Sequence, residues 1–585
     1  MKEPRNHMPK GKLQMPYFAS RAIAITVPAL AAFLTIASAQ AQKDAPSGPA
    51  QTFEQVVNRT IRSERRLMTT MQSRKPIVET YIEELTTDDE LGAVPSRDFY
   101  FLGKVDMQHG VDTASFIPAG SGFGSGLRKP LHMLASHLLP WNEFFPRGFA
   151  SRMFIDEEFD RQHYHFDYVR REFLGDVRCI VIDVQPFKGE RKRFKGRVWV
   201  EDRDYNVVRF NGSYGEIGQG FLHFDSWRMN AGPNLWLPAA IYTEENNYTL
   251  GPKKKMILRA QTRLWDYETQ KEQVDATFTS LEVNVPQGVK DESNAAEEPS
   301  PVEAQRLWQR QAEDNVIDRL QNAGLISPPG DVDSVLTTVL NNLEITNKID
   351  VEPAIRVRIM PTTPLESISI GHTIVISRGL IDVLPDEACL GAVLAHELAH
   401  IVLGQTSNTS FAFADRLLFE DTEALKNVAL GRTRQEEASA DEKAVAILRN
   451  SPYKENLARI GLFVRMLSER EEALPHLIRP LLGNAVADGH EHLRLAALMD
   501  IAPELQMRNT TQIAALPLGS RVQLDPWSNQ LRLTKARNVP LLTAREKMPF
   551  ELTPFMLHLR REETPDNPRP ALPNAEHTVA ASEKP

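Results

Sequence analysis

The chain has only two cysteines, Cys179 and Cys389, in 585 residues, so it can build neither a disulfide framework nor a thiolate metal cage. Beyond its first 42 residues it has no apolar run near the roughly 20 residues that a membrane-spanning helix needs. Cations are in the minority, with 68 Lys and Arg against 77 Asp and Glu, and they form no stripe. That argues against a nucleic-acid partner, because phosphate binding depends on clustered basic residues. The glycine-rich stretch Gly120–Gly126 has no Lys-Ser/Thr and no apolar strand before it, so it reads as a loop and not as a phosphate cradle. No repeat of fixed period is present.

What the N-terminus does hold is a basic leader, an apolar stretch from Ala22 to Ala37, and small residues at Ala37, Ala39 and Ala41. This is the grammar of a secretory signal peptide over residues 1–41; Pro28 and the short apolar length distinguish it from a membrane anchor. Cleavage there removes five Lys/Arg and one acid, leaving 63 basic against 76 acidic residues and a net charge of about −13. Such a balance gives no electrostatic reason for adsorption to anionic lipid. With no cysteine near the cleavage site to carry a lipid, the expectation is a periplasmic or secreted product with no transmembrane span.

Composition is ordinary for folded protein, 42% hydrophobic and 25% charged, and the length exceeds the roughly 250–300 residues at which one core stops growing. Several domains are expected. Residues 53–285 alternate with period two, as in Cys179–Val184 and Gly196–Val200, with Glu201–Asn206 as a hairpin turn. Further strands are expected at Phe221–Trp227, Leu237–Thr243 and Lys255–Leu264, which together predict an antiparallel sheet domain. Residues 286–304 are acidic, proline-bearing and poor in large apolar side chains, and read as a linker. From residue 305 to 508 the period is mainly helical, with Leu307, Ile317, Leu320, Val335, Leu336, Val339, Leu340 and Leu343 on an apolar stripe. A small sheet from Ile355–Ile359 and Thr373–Ser377 interrupts it before helices resume at Pro385. Residues 509–563 read as a small β extension, with Arg521–Leu524 and Leu531–Thr534 flanking the turn Asp525–Asn529. Residues 564–585 read as a disordered tail.

Within Gly391–Gly404 lies His396-Glu397-Leu-Ala-His400. On a helix, positions four apart share a face, so both imidazoles reach one ion at about 2.0–2.1 Å. Glu397 follows the first ligand and falls beside the metal, where a carboxylate serves as general base to a water. Asp386 and Glu387 suit the start of this helix and Gly404 its end. A buried apolar helix must satisfy two histidines and a glutamate, and a shared cation does so; the bland alternative is a pair of hydrogen-bonded core histidines. Catalytic Zn2+, one per chain, needs a third protein ligand and an open position. Glu437 is the choice, on the face of helix 434–448 that carries Ala438, Asp441, Val445 and Leu448; the alternative is a surface carboxylate. Glu436 shares its face with Ala440 and Lys443 and reads as an exposed ion pair. Asp441 is placed to accept an N–H from a ligand histidine. His163 and His165 alternate along a strand and read as same-side strand residues more readily than as metal ligands.

His396-Glu-Leu-Ala-His400 followed by Glu437-Ala-Ser-Ala-Asp441 resembles the HtpX-like and CaaX-prenyl-protease family of zinc metalloendopeptidases, whose second motif is Glu-x-x-x-Asp with the glutamate a zinc ligand. The likeness continues upstream through Thr373–Leu380 and spans Val332 to Met499. It implies a gluzincin-type domain in which Thr373–Ser377 pairs with an extended substrate strand. It also implies a transition-state or zinc-gating histidine, for which His490 in Gly489-His490-Glu-His492-Leu-Arg494 is the match, although the family's proline is absent there and the spacing differs; the alternative is a solvated loop histidine. A second departure is Glu366-Ser-Ile-Ser-Ile-Gly-His372, where family members carry Asn-Ala and Gly-Gly. Gly196–Arg209 is similar to the curved sheets of periplasmic lipoprotein or lipid carriers.

The expected fold class is therefore α+β: an N-terminal antiparallel β domain followed by a mostly helical gluzincin-type metallopeptidase domain with a small sheet. The expected function is a zinc-dependent metalloendopeptidase of the cell envelope. Its substrate would be protein or peptide, unfolded or misassembled envelope proteins among them, with envelope-protein or lipoprotein clients engaged through the β domain. The competing expectation is a non-enzymatic chaperone or lipid and lipoprotein carrier with a structural zinc site. Glu397 favours the enzyme, because a structural site needs no base and closes its fourth position with protein.

Overall fold

Nineteen residues at the start of the sheet half form a helix, not strands. α1 (Phe53–Met71) buries Val56, Val57, Thr60, Ile61, Glu64, Leu67 and Met71, a spacing of three and four that belongs to a helix laid on a surface. The structure is a computed structural model that describes residues 52–88, 92–106, 110–112, 149–155, 158–188, 193–214, 223–250, 254–267, 301–405, 430–483, 487–488, 492–506, 522–525, 530–533, 550, 552, 554 and 557–561. The leader 1–41, the glycine-rich 120–126, most of the linker 286–304, the turn 526–529 and the tail 564–585 lie outside the described residues.

The alternating segments become β1 (Ile77–Asp88), β2 (Gly92–Asp106), β3 (Gly110–Asp112), β4 (Tyr164–Leu174), β5 (Val177–Pro186), β6 (Phe194–Glu201), β7 (Val207–Tyr214), β8 (His223–Gly232), β9 (Leu235–Leu250) and β10 (Lys254–Trp265). They make one antiparallel sheet in the order β3-β2-β1-β10-β9-β8-β7-β6-β5-β4. The expected hairpin turn joins β6 to β7. There the Glu201 carboxylate accepts the backbone N–H groups of Arg203 (2.9 Å), Asp204 (2.9 Å) and Asn206 (3.1 Å), which satisfies a turn that would otherwise bury bare amides.

Alternation divides the sheet into two faces. Val78 and Ile82 cluster with Leu67 and Met71 of α1, whereas Tyr81, Trp199, Trp227 and Tyr242 join a cluster with the helical half. That half begins with α2 (Pro301–Asn322) and α3 (Asp331–Asn347). The first four residues of α2 fall inside the expected linker. Ile317, Leu320, Leu336, Val339, Leu340 and Leu343 are buried as their spacing predicts, but Leu307 and Val335 are exposed.

Next come β11 (Arg356–Met360), β12 (Ser367–Ile370) and β13 (Thr373–Ser377), then α4 (Arg378–Val383), α5 (Glu387–Val402), α6 (Arg434–Arg449), α7 (Leu457–Arg470), α8 (Pro475–Ile478) and α9 (Ala496–Asp500). β14 (Ala487–Asp488) pairs with β15 (His492–Leu493), and the expected pair near the C-terminus is β16 (Val522–Asp525) with β17 (Gln530–Leu533). In the small sheet β13 lies in the middle, parallel to β11 and antiparallel to β12. Thr373–Ser377 thus has both edges hydrogen-bonded and cannot take a substrate strand, contrary to the sequence-based expectation. Among the described residues β12 has β13 as its one neighbouring strand, and the Ser369 carbonyl of β12 accepts Nη2 of Arg432 at 2.8 Å.

Buried carboxylates on β1 and β2 tie the large sheet to this half. Glu79 accepts Thr363 N–H at 2.6 Å, Thr363 Oγ1 at 2.9 Å and Arg263 Nε at 3.0 Å, while Arg263 also donates to the Pro361 carbonyl at 2.9 Å. Asp98 accepts the Leu477 N–H of α8 at 2.7 Å. Because Arg263 and Glu79 are both buried, removing one partner leaves the other charge uncompensated. Glu79→Ala is expected to lower the urea-unfolding free energy by about 3–5 kcal/mol, against a much smaller loss for an exposed pair such as Arg65–Asp160.

Candidate metal centre

α5 starts where Asp386 accepts the Cys389 N–H at 2.9 Å and stops where Gly404 takes φ +68. The helix between is apolar and sunk in the core, so the three polar side chains of its motif are buried with it: His396, Glu397 and His400 are each about 2% exposed or less. Helical spacing brings the two imidazoles together edge to face, with ring centroids 4.8 Å apart, planes at 84° and Nε2 facing Nε2 at 3.1 Å. α6 packs alongside and brings the Glu437 carboxylate to 3.2 Å from His396 Nε2 and 3.7 Å from His400 Nε2. One donor atom from each of His396, His400 and Glu437 lies within 4.8 Å of the others, the arrangement of a three-ligand metal site.

The chemistry of the donor set fits a cation. His396 Nδ1 lies 2.8 Å from Asp441 Oδ1, an acceptor-only atom, so it carries a proton. His400 Nδ1 lies 2.7 Å from Gln405 Oε1, whose amide nitrogen in turn donates to Ser439 on α6 at 2.7 Å. Both imidazoles therefore direct Nε2 lone pairs at one point beside a carboxylate, a buried concentration of acceptors that a bound cation resolves. Without metal, a proton occupies that point. Burial and the Arg494 charge push His396 down, but its bonds to Asp441 and Glu437 outweigh them and raise it to about 9. Burial lowers His400. Glu437, despite its burial, is held below the usual carboxylate range by Arg494 and both histidines.

A pH dependence follows. Because His396 of the metal-free protein stays protonated below about 9, metal must displace a proton there. Zinc affinity, read by chelator competition, is expected to rise about tenfold per pH unit from neutrality and to level off above about 9. The same raised value stabilises the metal-free fold fully below about 6.5, and that contribution is lost as pH rises through about 9.

Of the residues expected from sequence, His396, Glu397, His400, Glu437 and Asp441 come together here. His490 lies outside the described residues. His163 and His165 stand apart and turn to separate acids, Asp160 at 2.8 Å and Asp167 at 3.1 Å. Two details of α6 differ from expectation. Its buried face is Ala440, Ala444, Val445, Ile447 and Leu448, with Ala438 exposed. Glu436 closes a capping box, accepting Thr433 N–H at 2.8 Å, instead of pairing with Lys443; the Thr433-x-x-Glu436 spacing carried that signal.

Three participants were missed. Gln405 is set by the Gly404 turn, which sends the chain back so that Gln405 N–H meets the His400 carbonyl at 3.0 Å. Arg494 is buried, with Nε 3.2 Å from Glu437 Oε2 and Nη1 3.3 Å from Glu397 Oε1; the chain bends beside it at Leu495, a non-glycine residue with φ +58. Ser367 of β12 donates to Glu397 Oε1 at 2.7 Å. Glu397 is lowered in spite of burial, by Arg494 first and then by both histidines and Ser367. Arg494 ends the Gly489–Arg494 stretch that resembles the family's pattern but carries no expected role toward Glu397, and no local pattern marks Ser367 as a partner of the motif.

No curated protein matches the chain. A solved structure of a LolA-superfamily protein from Nitrosomonas europaea is similar to 37% of this chain and 95% of its own, at 13% identity and a TM-score of 0.17, too low to assign a role to the sheet. The family model for Peptidase family M48 matches residues 368–490. Enclosing the buried histidine pair, Glu397 and the carboxylate that faces them, that segment is a peptidase family M48 domain.

Proposed function

We propose that this chain is a zinc-dependent metalloendopeptidase of the cell envelope that hydrolyses peptide bonds in unfolded or misassembled protein. The observation that carries the reading is the convergence of two Nδ1-anchored imidazoles and Glu437 on one point, with the Glu397 carboxylate beside them. His396, His400 and Glu437 would hold the ion, and Asp441 and Gln405 orient the rings. Zinc in that cradle supplies Lewis acidity, which acidifies water and polarises a carbonyl. Glu397 accepts the proton of the attacking water and delivers it to the leaving amine nitrogen.

Substrate entry is assigned to the β12 edge, where an extended peptide adds as a strand and displaces Arg432 from Ser369. A small apolar cavity lined by Leu380, Cys389, Ala392, Phe463 and Leu495 lies beside Ser367, His396 and Arg494. The leader sequence supports an envelope location, and no helix of the described residues is long and apolar enough to cross a membrane. The sheet is the surface proposed to engage envelope-protein or lipoprotein clients.

Metal analysis of the purified protein together with cleavage of labelled casein tests the reading. About one zinc per chain is expected, with cleavage abolished by chelator and restored by added zinc. Cleavage that persists through complete removal of zinc would falsify it.

A further inference from the structure

We propose that Ser367 is a positioning residue for the general base, holding the Glu397 carboxylate in a usable orientation against the pull of Arg494. The inference rests on the reading of Glu397 as that base. Ser367 and Arg494 flank residues 368–490, and neither lies within the matched segment.

A buried arginine beside a buried carboxylate normally closes on it with two parallel N–H···O bonds, which would engage both oxygens and hold the base out of use. Here it does not. Arg494 reaches Glu397 through Nη1 alone, at 3.3 Å, and turns Nε toward Glu437 at 3.2 Å. Ser367 occupies the space between: its hydroxyl donates to Glu397 Oε1 at 2.7 Å and accepts Arg494 Nη1 at 3.1 Å. Both hydrogen-bonding functions of that hydroxyl are thereby used, and both contacts to the carboxylate fall on Oε1. Oε2 is left for proton transfer.

The placement of Ser367 makes this more than a filling contact. It is about 1% exposed, so its hydroxyl cannot exchange these partners for water. Its strand is pinned from behind, because Glu366 accepts the N–H groups of Leu482 at 2.6 Å and Gly483 at 2.9 Å, and Ser377 N–H donates to the Glu366 carbonyl at 2.8 Å. The base is thus registered to the same strand edge that is assigned to the substrate.

The test compares the parent, Ser367→Ala and Ser367→Thr on labelled casein, measuring kcat, KM and bound zinc in each. Ser367→Ala is expected to lower kcat about tenfold or more, the loss associated with one hydrogen bond to a charged group, with KM and zinc content unchanged. Ser367→Thr, which keeps the hydroxyl, is expected to restore most of kcat. Parental kcat in Ser367→Ala overturns the inference, as does loss of zinc or a raised KM in place of the kcat effect. Ser367→Thr that folds and binds zinc but stays as slow as Ser367→Ala also overturns it. Should the parent itself show no zinc-dependent cleavage, the peptidase reading fails instead, which keeps the two failures distinguishable.

Discussion

Glu397→Gln is expected to reduce kcat for casein cleavage by about 10²–10⁴-fold while the protein still binds about one zinc per chain. Glutamine keeps the size of the side chain and can still accept the Ser367 hydroxyl through its carbonyl oxygen, so the buried contact at 2.7 Å need not be lost. What it cannot do is accept and return a proton. The ligand set of His396, His400 and Glu437 is untouched, and both ring Nδ1 partners remain in place. Steady-state kinetics and metal analysis on the same preparation separate this from a folding defect. A variant that cleaves at the parental rate would remove Glu397 from the mechanism.

The second large effect concerns the metal itself, and it is graded. Glu437→Ala removes the ligand proposed for α6 and strips Arg494 of one of its partners, at 3.2 Å, so stoichiometric zinc and zinc-dependent cleavage should both disappear. Asp441→Asn keeps an oxygen for the His396 Nδ1–H but loses its charge, and zinc affinity should fall only about 10–100-fold. Chelator competition on both variants orders them. If Asp441→Asn were the more damaging, the ligand would be Asp441 and the geometry of α6 would have been misjudged.

The way the sheet anchors this centre bears on how rigid it is. Glu79 and Asp98 hold the segments at Thr363 and Leu477 by charge-assisted bonds, and Thr363 lies a few residues before Ser367 in the chain. Strain or loosening at the sheet contact is thus close to the strand that carries the partner of the base. The Glu79→Ala variant is expected to show its effect first as lost stability, since none of its contacts touches a metal ligand directly.

Local periodicity was enough to read much of the molecule. Residues four apart must share a helix face, so His396 and His400 meet whatever surrounds them, and Glu397 must lie beside them. Period-two runs named β5, β6, β8, β9 and β10 of the large sheet, and Asp386 and Gly404 marked the ends of α5 because they satisfy helix termini from within the same segment. The same logic was available for α1 and for the Thr433–Glu436 cap, whose patterns are local. Other features arise from chain crossings that no short window contains. Arg494 meets Glu397 across 97 residues, Ser367 meets it across 30, and Thr363 meets Glu79 across 284. The order β11-β13-β12, which closes Thr373–Ser377 to substrate, depends on which strands pair and not on what either contains. Sequence alone thus determined that two histidines share one helix face with a glutamate beside them, because a helix repeats its geometry at every turn. Only the tertiary structure decided what holds the Glu397 carboxylate and which strands flank Thr373–Ser377, because those contacts exist only once distant segments are packed together.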